Sequence, residues 1–281
     1  MPSFINPNSK EFDVLVDTLQ GKSQHTLRNY SIQYRKLLSL LNYDNIMDAE
    51  DNDVIEVCKQ QNTENNKLNL LNIAICIFKA NNRPINELIN CRNGLRESVK
   101  KQIKEKNTHI VLPSYNDICD LMEFYYSSGN YKNYLINYLL INYNVRNQDL
   151  LIKIVSKKDE VDPESGFNYI HYNRNVCTYI RFHYKTNNTY GTKRHIITEP
   201  KVKEALKYLK SEQDKGVYLI PSPEQVAYHV QKSTLNNIGE CSYNKIIVNH
   251  YRNDLQKLKT ISENRGTSLD TIAENYDIKN I

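Results

Sequence analysis

Four polar positions stand where local structure alone does not ask for them. Arg146, in "INYNVRNQDLL", ends an apolar, aromatic run that begins at Tyr131 and has the spacing of a buried helix. Asp149 follows three residues later. Lys185 stands where the alternating segment "YIRFHYK" meets the polar stretch "TNNTYGT". Asn249 and Arg252 lie three apart in "VNHYRNDLQKL", beside an apolar stripe of Val248, Tyr251, Leu255 and Leu258. A guanidinium is a permanent cation whose planar fork pairs with carboxylate or phosphate. A lysine can hold or give up a proton, while an amide donates hydrogen bonds without titrating. Each segment alone also suits a structural role: a helix-end cation paired with Asp149, a solvated hairpin lysine, an exposed polar helix face. His250 reads as a boundary histidine.

Other chemistries lack support. The sequence has no P-loop, no GxGxxG, no HExxH and no acidic cluster for paired metal ions. Its six cysteines are scattered without a CxxC pair, against a zinc site or disulfide framework and in favour of a reducing compartment. The first residues, "MPSFINPNSKEF", lack the pattern of a signal peptide, and no apolar run approaches the ~18 residues of a membrane span. The 281 residues suffice for one large or two ordinary domains. A net charge of +5 is compatible with a nucleic-acid partner without being diagnostic.

The elements that must position these residues follow from periodicity. Ser23 is a candidate N-cap for a helix whose Leu27, Tyr30, Tyr34, Leu37, Leu38 and Leu41 form one stripe, with Arg28, Arg35 and Lys36 off it. Further helices are expected over Leu68 to Phe78 and "INELINCRNGLRESVKKQIKEK", so the first hundred residues read as all-helical. "KEKNTHIVLPSYND" reads as an extended junction, with a new helix opening at Ser114. Helices over 115–128 and 131–145 come next. Then the period changes to two. Thr178, Ile180, Phe182 and Tyr184 take one strand face, and Cys177, Tyr179, Arg181 and His183 take the other. "TNNTYGT" is a turn and "KRHIITE" a returning strand. Pro200 opens a helix that Gly216 ends, and three more helices are expected within "SPEQVAYHVQKSTLNN", "SYNKIIVNHYRNDLQKLKTISENRG" and "SLDTIAENYDI".

An arginine after a helical pair, a lysine on a β-hairpin and an N-x-x-R helix near the C-terminus occur in an order that resembles the tyrosine recombinase (phage-type integrase) family. "NYNVRNQDL" is similar to that family's "TGLRxSEL", which places Arg146 on its first arginine and Asp149 on its acidic position. "YKTNNTYGTKRHII" is similar to "GKGxKxRxVP", with Lys185 as the hairpin lysine and Lys193 as the fallback. "NHYRN" is similar to "HxLRH", with Arg252 on the arginine and Asn249 in place of the histidine. "RGTSLDTIAENYDI" resembles "GxDLxxIQxLLGH", which puts Ile278 at the third-box position and leaves Tyr276 as the terminal tyrosine. "SQHTLRNYSIQYRKLLSLL" is similar to the opening helix of the family's core-binding domain.

The resemblance implies a mainly α fold with a small antiparallel β-sheet, in two domains. Residues 1–107 would form a helical core-binding domain and residues 108–281 a catalytic-type domain. Together they would clamp double-stranded DNA, with Arg28, Arg35, Lys36, Lys193 and Arg194 facing phosphates. A tyrosine, Tyr276, would attack the phosphodiester to form a 3′-phosphotyrosine. Arg146 and Arg252 would hold the non-bridging oxygens, oriented by Asp149, with Asn249 as a further donor. Lys185 would protonate the leaving oxygen. No cofactor or metal is implied, a homo-oligomer on DNA is, and the setting would be intracellular, in a virus or mobile element. The alternatives are a recombinase-fold DNA-binding protein that does not cut, or a type IB topoisomerase relative.

Overall fold

In a computed structural model the described residues are 19, 24–173, 176–211 and 217–276. The chain forms two units, Met1–Glu105 and Lys106–Ile281. Ser23, Gly216 and Ile278 lie outside the described residues.

In the first unit, helix α1 (Gln24–Leu41) buries Tyr34, Leu37 and Leu38, with Leu27, Tyr30 and Leu41 packed at the edge of the same core. α2 (Asp51–Lys59) was not anticipated, because only Val54 and Cys58, one turn apart, are buried in an otherwise polar segment. Its start is set by a capping box between Glu50 and Asp53. α3 (Glu64–Ala80) is capped by Thr63, whose side chain accepts from Asn66 N, and supplies most of the core through Leu70, Leu71, Ile73, Ala74, Ile77 and Phe78. α4 (Asn86–Thr108) runs five residues into the expected extended junction, because Lys104, Glu105 and Lys106 are good helix formers. Residues 110–114 carry no regular secondary structure.

In the second unit Ser114 makes with Asp117 the capping box of α5 (Tyr115–Ser127). α6 (Tyr131–Tyr143) is the central helix and buries Tyr134, Leu135, Ile136, Leu139, Leu140 and Ile141. It stops two residues earlier than its periodicity suggests, because Asn144 adopts the left-handed conformation (φ 48°). A 3₁₀ turn, Asn147–Leu150, leads into the sheet.

The sheet has five strands: β1 (Ile152–Val155), β2 (Asn168–Tyr172), β3 (Cys177–Arg181), β4 (Lys193–Ile196) and β5 (Val217–Tyr218). Their order is β4-β3-β2-β1-β5. The expected antiparallel sheet is corrected to a mixed one: β1 and β2 are parallel and the other pairs antiparallel. β1 and β5 were missed because four-residue and two-residue strands carry too little alternation to register. The alternation of β3 is real. Cys177 and Tyr179 face the main core, and Ile180 and Phe182 face a smaller cluster with Val155 and Tyr169. "TNNTYGT" contains a single helical turn, α7 (Asn187–Tyr190).

α8 (Pro200–Ser211) and α9 (Pro223–Ser233) follow. The long helix expected over 242–266 is two helices, α10 (Glu240–His250) and α11 (Leu255–Arg265). The break is enforced by Asp254, whose carboxylate accepts from Lys257 N at 2.9 Å and caps α11. α12 (Leu269–Asn275) ends at Tyr276. Among the described residues, no helix is long and apolar enough to cross a membrane.

Candidate functional site

The left-handed Asn144 turns the chain out of α6, so that Arg146 enters the next turn in extended backbone (φ −89°, ψ 165°). Its backbone N–H donates to Asp149 Oδ2 at 2.9 Å. Its guanidinium Nη1 donates to the carbonyl of Arg265 at 2.6 Å. Arg146 is therefore a helix-end cation, but of α11 and not of the helix that precedes it.

Two more cations reach the same helix end. In the β3–β4 ladder Arg181 lies opposite Lys193, which puts both side chains on one face of the sheet. Arg181 Nη1 donates to Asn264 O at 2.9 Å, and Nη2 is bonded to Asp149. Lys193 Nζ donates to Glu263 O and lies 3.5 Å from Asn264 O. The Tyr184 ring packs under both, 4.8 Å from the guanidinium and 5.0 Å from the ammonium. Three cations thus cover three consecutive carbonyls at the negative end of α11, where the helix has no donors of its own. The turn is closed by Gly266 (φ 59°), whose N–H donates to Glu263 O at 3.1 Å.

A second buried cluster adjoins it. Arg265 donates from Nη1 to Asn144 O at 3.2 Å. From Nη2 it donates to Glu240 Oε1 at 2.5 Å and to the Tyr276 hydroxyl at 3.0 Å. Arg181 and Arg265 are 0% and 2% exposed, and each has a carboxylate partner, Asp149 and Glu240. Arg146 and Lys193 have main-chain oxygens instead, so the cluster holds more cation than anion among the described residues. The field is felt nearby. Burial, then Arg181, lowers the Lys193 ammonium to about 8. Burial, then Arg181 and Lys193, lowers His195 to about 4 and keeps it neutral. Burial, then Arg265, lowers Arg146. Burial pushes the Asp149 carboxyl up, against the pull of Arg181 and of the Arg146 N–H.

Of the residues singled out from sequence, Arg146, Asp149, Lys193 and Tyr276 share this region. Asp149 grips the guanidinium of Arg181 and only the backbone of Arg146, which corrects its expected role. Lys185 is exposed in the turn before α7 and makes none of these bonds. Asn249 ends α10 half-buried, with Oδ1 buried and lacking a hydrogen-bond partner, and Arg252 is exposed in the turn before α11. Both precede α11, while Arg146 sits at its far end. The 11 residues of α11 span about 16 Å, which separates the start of that helix from the end that Arg146 holds. Arg28 and Arg35 are exposed on α1, Lys36 is half-buried there, and Arg194 is exposed on β4.

Arg181, Glu240 and Arg265 were not foreseen. Arg181 had a signal: its alternation places it on the face of Cys177 and Tyr179, where a charge needs a partner. Nothing local marks Arg265.

No protein-family model matches this chain, and no curated protein matches it. Among solved structures it is distantly similar to XerA recombinase, at 15% identity and a TM-score of 0.40 over 96% of this chain and 93% of that one.

Proposed function

We propose that this chain binds duplex DNA through its phosphates, at a grip formed by Arg146 and Lys193, and breaks and rejoins a strand in the manner of the tyrosine recombinases. One observation carries the reading. Arg146, Arg181 and Lys193, from three different elements, all donate to main-chain oxygens, and among the described residues only Arg181 of the three is in an ion pair with a carboxylate. A phosphodiester offers such cations a full negative charge, where a carbonyl offers only a dipole.

In this reading Tyr276 Oη loses its proton to solvent and attacks the phosphorus, and the bond from phosphorus to the 5′-oxygen breaks. The proton for that leaving oxygen comes from the Lys193 ammonium, whose value of about 8 suits transfer near neutral pH. Arg146 stabilises the charge that grows on the non-bridging oxygens. Lys193 therefore takes the role that the resemblance first gave to Lys185. Arg28, Arg35 and Lys36 would add phosphate contacts from the first unit.

A second reading, binding without cleavage, is favoured by one specific feature. Asn249 replaces a histidine and, with Arg252, is separated from Arg146 by the length of α11. A nicked duplex that traps covalent intermediates separates the two. Trapped product that disappears in Tyr276→Phe supports cleavage. Binding with no trapped product leaves only the grip, and an unchanged yield in Tyr276→Phe removes Tyr276 from the chemistry.

A further inference from the structure

The grip is not empty of partners. Arg146 already holds Arg265 O at 2.6 Å, Arg181 holds Asn264 O at 2.9 Å, and Lys193 holds Glu263 O. These oxygens come from consecutive residues in the last turn of α11, where carbonyls lack intrahelical donors and the macrodipole is negative. Clustered oxygens with negative potential are also what a phosphate presents. We infer that the last turn of α11 is a built-in pseudo-ligand that occupies the phosphate grip, and that DNA binds by displacing it. This inference rests on the phosphate-grip reading and adds its regulation.

The same turn leads to Tyr276. Arg265 is the last residue of α11 and holds the Tyr276 hydroxyl, and Gly266 joins α11 to the segment that ends in Tyr276. Withdrawing the turn therefore uncovers the cations and loosens the tyrosine in one movement.

The plug has an identifiable latch. Gly266 lies against Thr186 in the turn before α7, and a Cβ added to Gly266 would collide with Thr186 Oγ1. That hydroxyl is buried without a hydrogen-bond partner, so the contact is one of shape. Gly266 is also left-handed, which an L side chain adopts poorly. Gly266→Ala should thus part the α11 turn from the β3–β4 connection, and Gly266→Ala with Thr186→Gly should remove the collision and leave only the backbone strain.

The test measures binding of a fluorescent duplex of mixed sequence by anisotropy, because phosphate contacts are independent of sequence. If the open state is about a tenth of the parent population, opening it tightens apparent binding about tenfold. Gly266→Ala should approach that gain, and the double variant should return toward the parent. Hydrogen exchange on the parent gives a second measurement that requires no variant to fold. The N–H groups of Gly266 and Thr267 donate to Glu263 O and Ser262 O, and should lose protection when DNA saturates the chain. Equal binding by parent and Gly266→Ala, or protection retained at saturation, overturns the plug and leaves the phosphate grip standing. No binding by either chain overturns both.

Discussion

Asp149→Ala tests the foundation of the site. Asp149 is fully buried, and its carboxylate joins the Arg146 backbone to the Arg181 guanidinium. Removing it leaves a 0%-exposed guanidinium with Asn264 O and the face of Tyr184, and no carboxylate. Breaking a buried pair by deleting one partner costs about 3–5 kcal/mol, most of it the uncompensated charge. In a domain of 150–250 residues each kcal/mol lowers the melting temperature by about 2–4 °C, so the second unit should melt about 6–20 °C lower. Circular dichroism on heating reads this directly, and is the natural probe because the chain has no tryptophan. The decisive arm is Asp149→Ala with Arg181→Met. Replacing the arginine removes the stranded charge, so the double variant should be more stable than Asp149→Ala alone by about 1–3 kcal/mol. A single variant that costs under about 1 kcal/mol, or a double variant no more stable than the single, would refute the claim that this pair anchors Arg146.

Lys193 ties the site to pH in two ways. Its folded value, about 8, lies below the 10.5 of a free lysine, so the unfolded chain binds more protons between those limits and stability rises with pH there. Lys193→Met should flatten that rise in pH-dependent urea melts, compared with the parent over pH 8 to 9.5. If Lys193 supplies the proton in cleavage, covalent trapping should fall as pH rises through about 8, and a yield still climbing at pH 9 excludes it as the acid. Arg146→Ala should cost at least tenfold in trapping with a modest loss of binding, whereas Arg252→Ala, beyond the other end of α11, should leave trapping within about threefold. Asn144→Ala should lower stability by about 1 kcal/mol through its left-handed backbone and Asn144→Gly should not, as read by the same thermal melts.

What was legible in the sequence was local. The stripe of Tyr34, Leu37 and Leu38, the cap at Ser114 and the alternation of β3 each depend on residues a few positions apart, and spacing encodes them. Arg146 stood out because a permanent cation followed a run that had to be buried. The helix break at Asp254 was also written there, since an Asp before Leu255 is a good N-cap, but the continuing apolar stripe outweighed it. The sequence could not say what Arg146 would touch. Its partner carbonyl is 119 positions away, and Arg181 reaches Asn264 across 83. The parallel pairing of β1 with β2 is likewise a choice among non-local contacts. Such contacts are decided by how α11 packs on the sheet. A main-chain carbonyl has the same chemistry at every residue, so no residue type announces that three of them will end a helix against Arg146, Arg181 and Lys193. Charge and periodicity in the chain specified that a cation would stand at residue 146. Only tertiary packing made it one of three that share the end of a single helix.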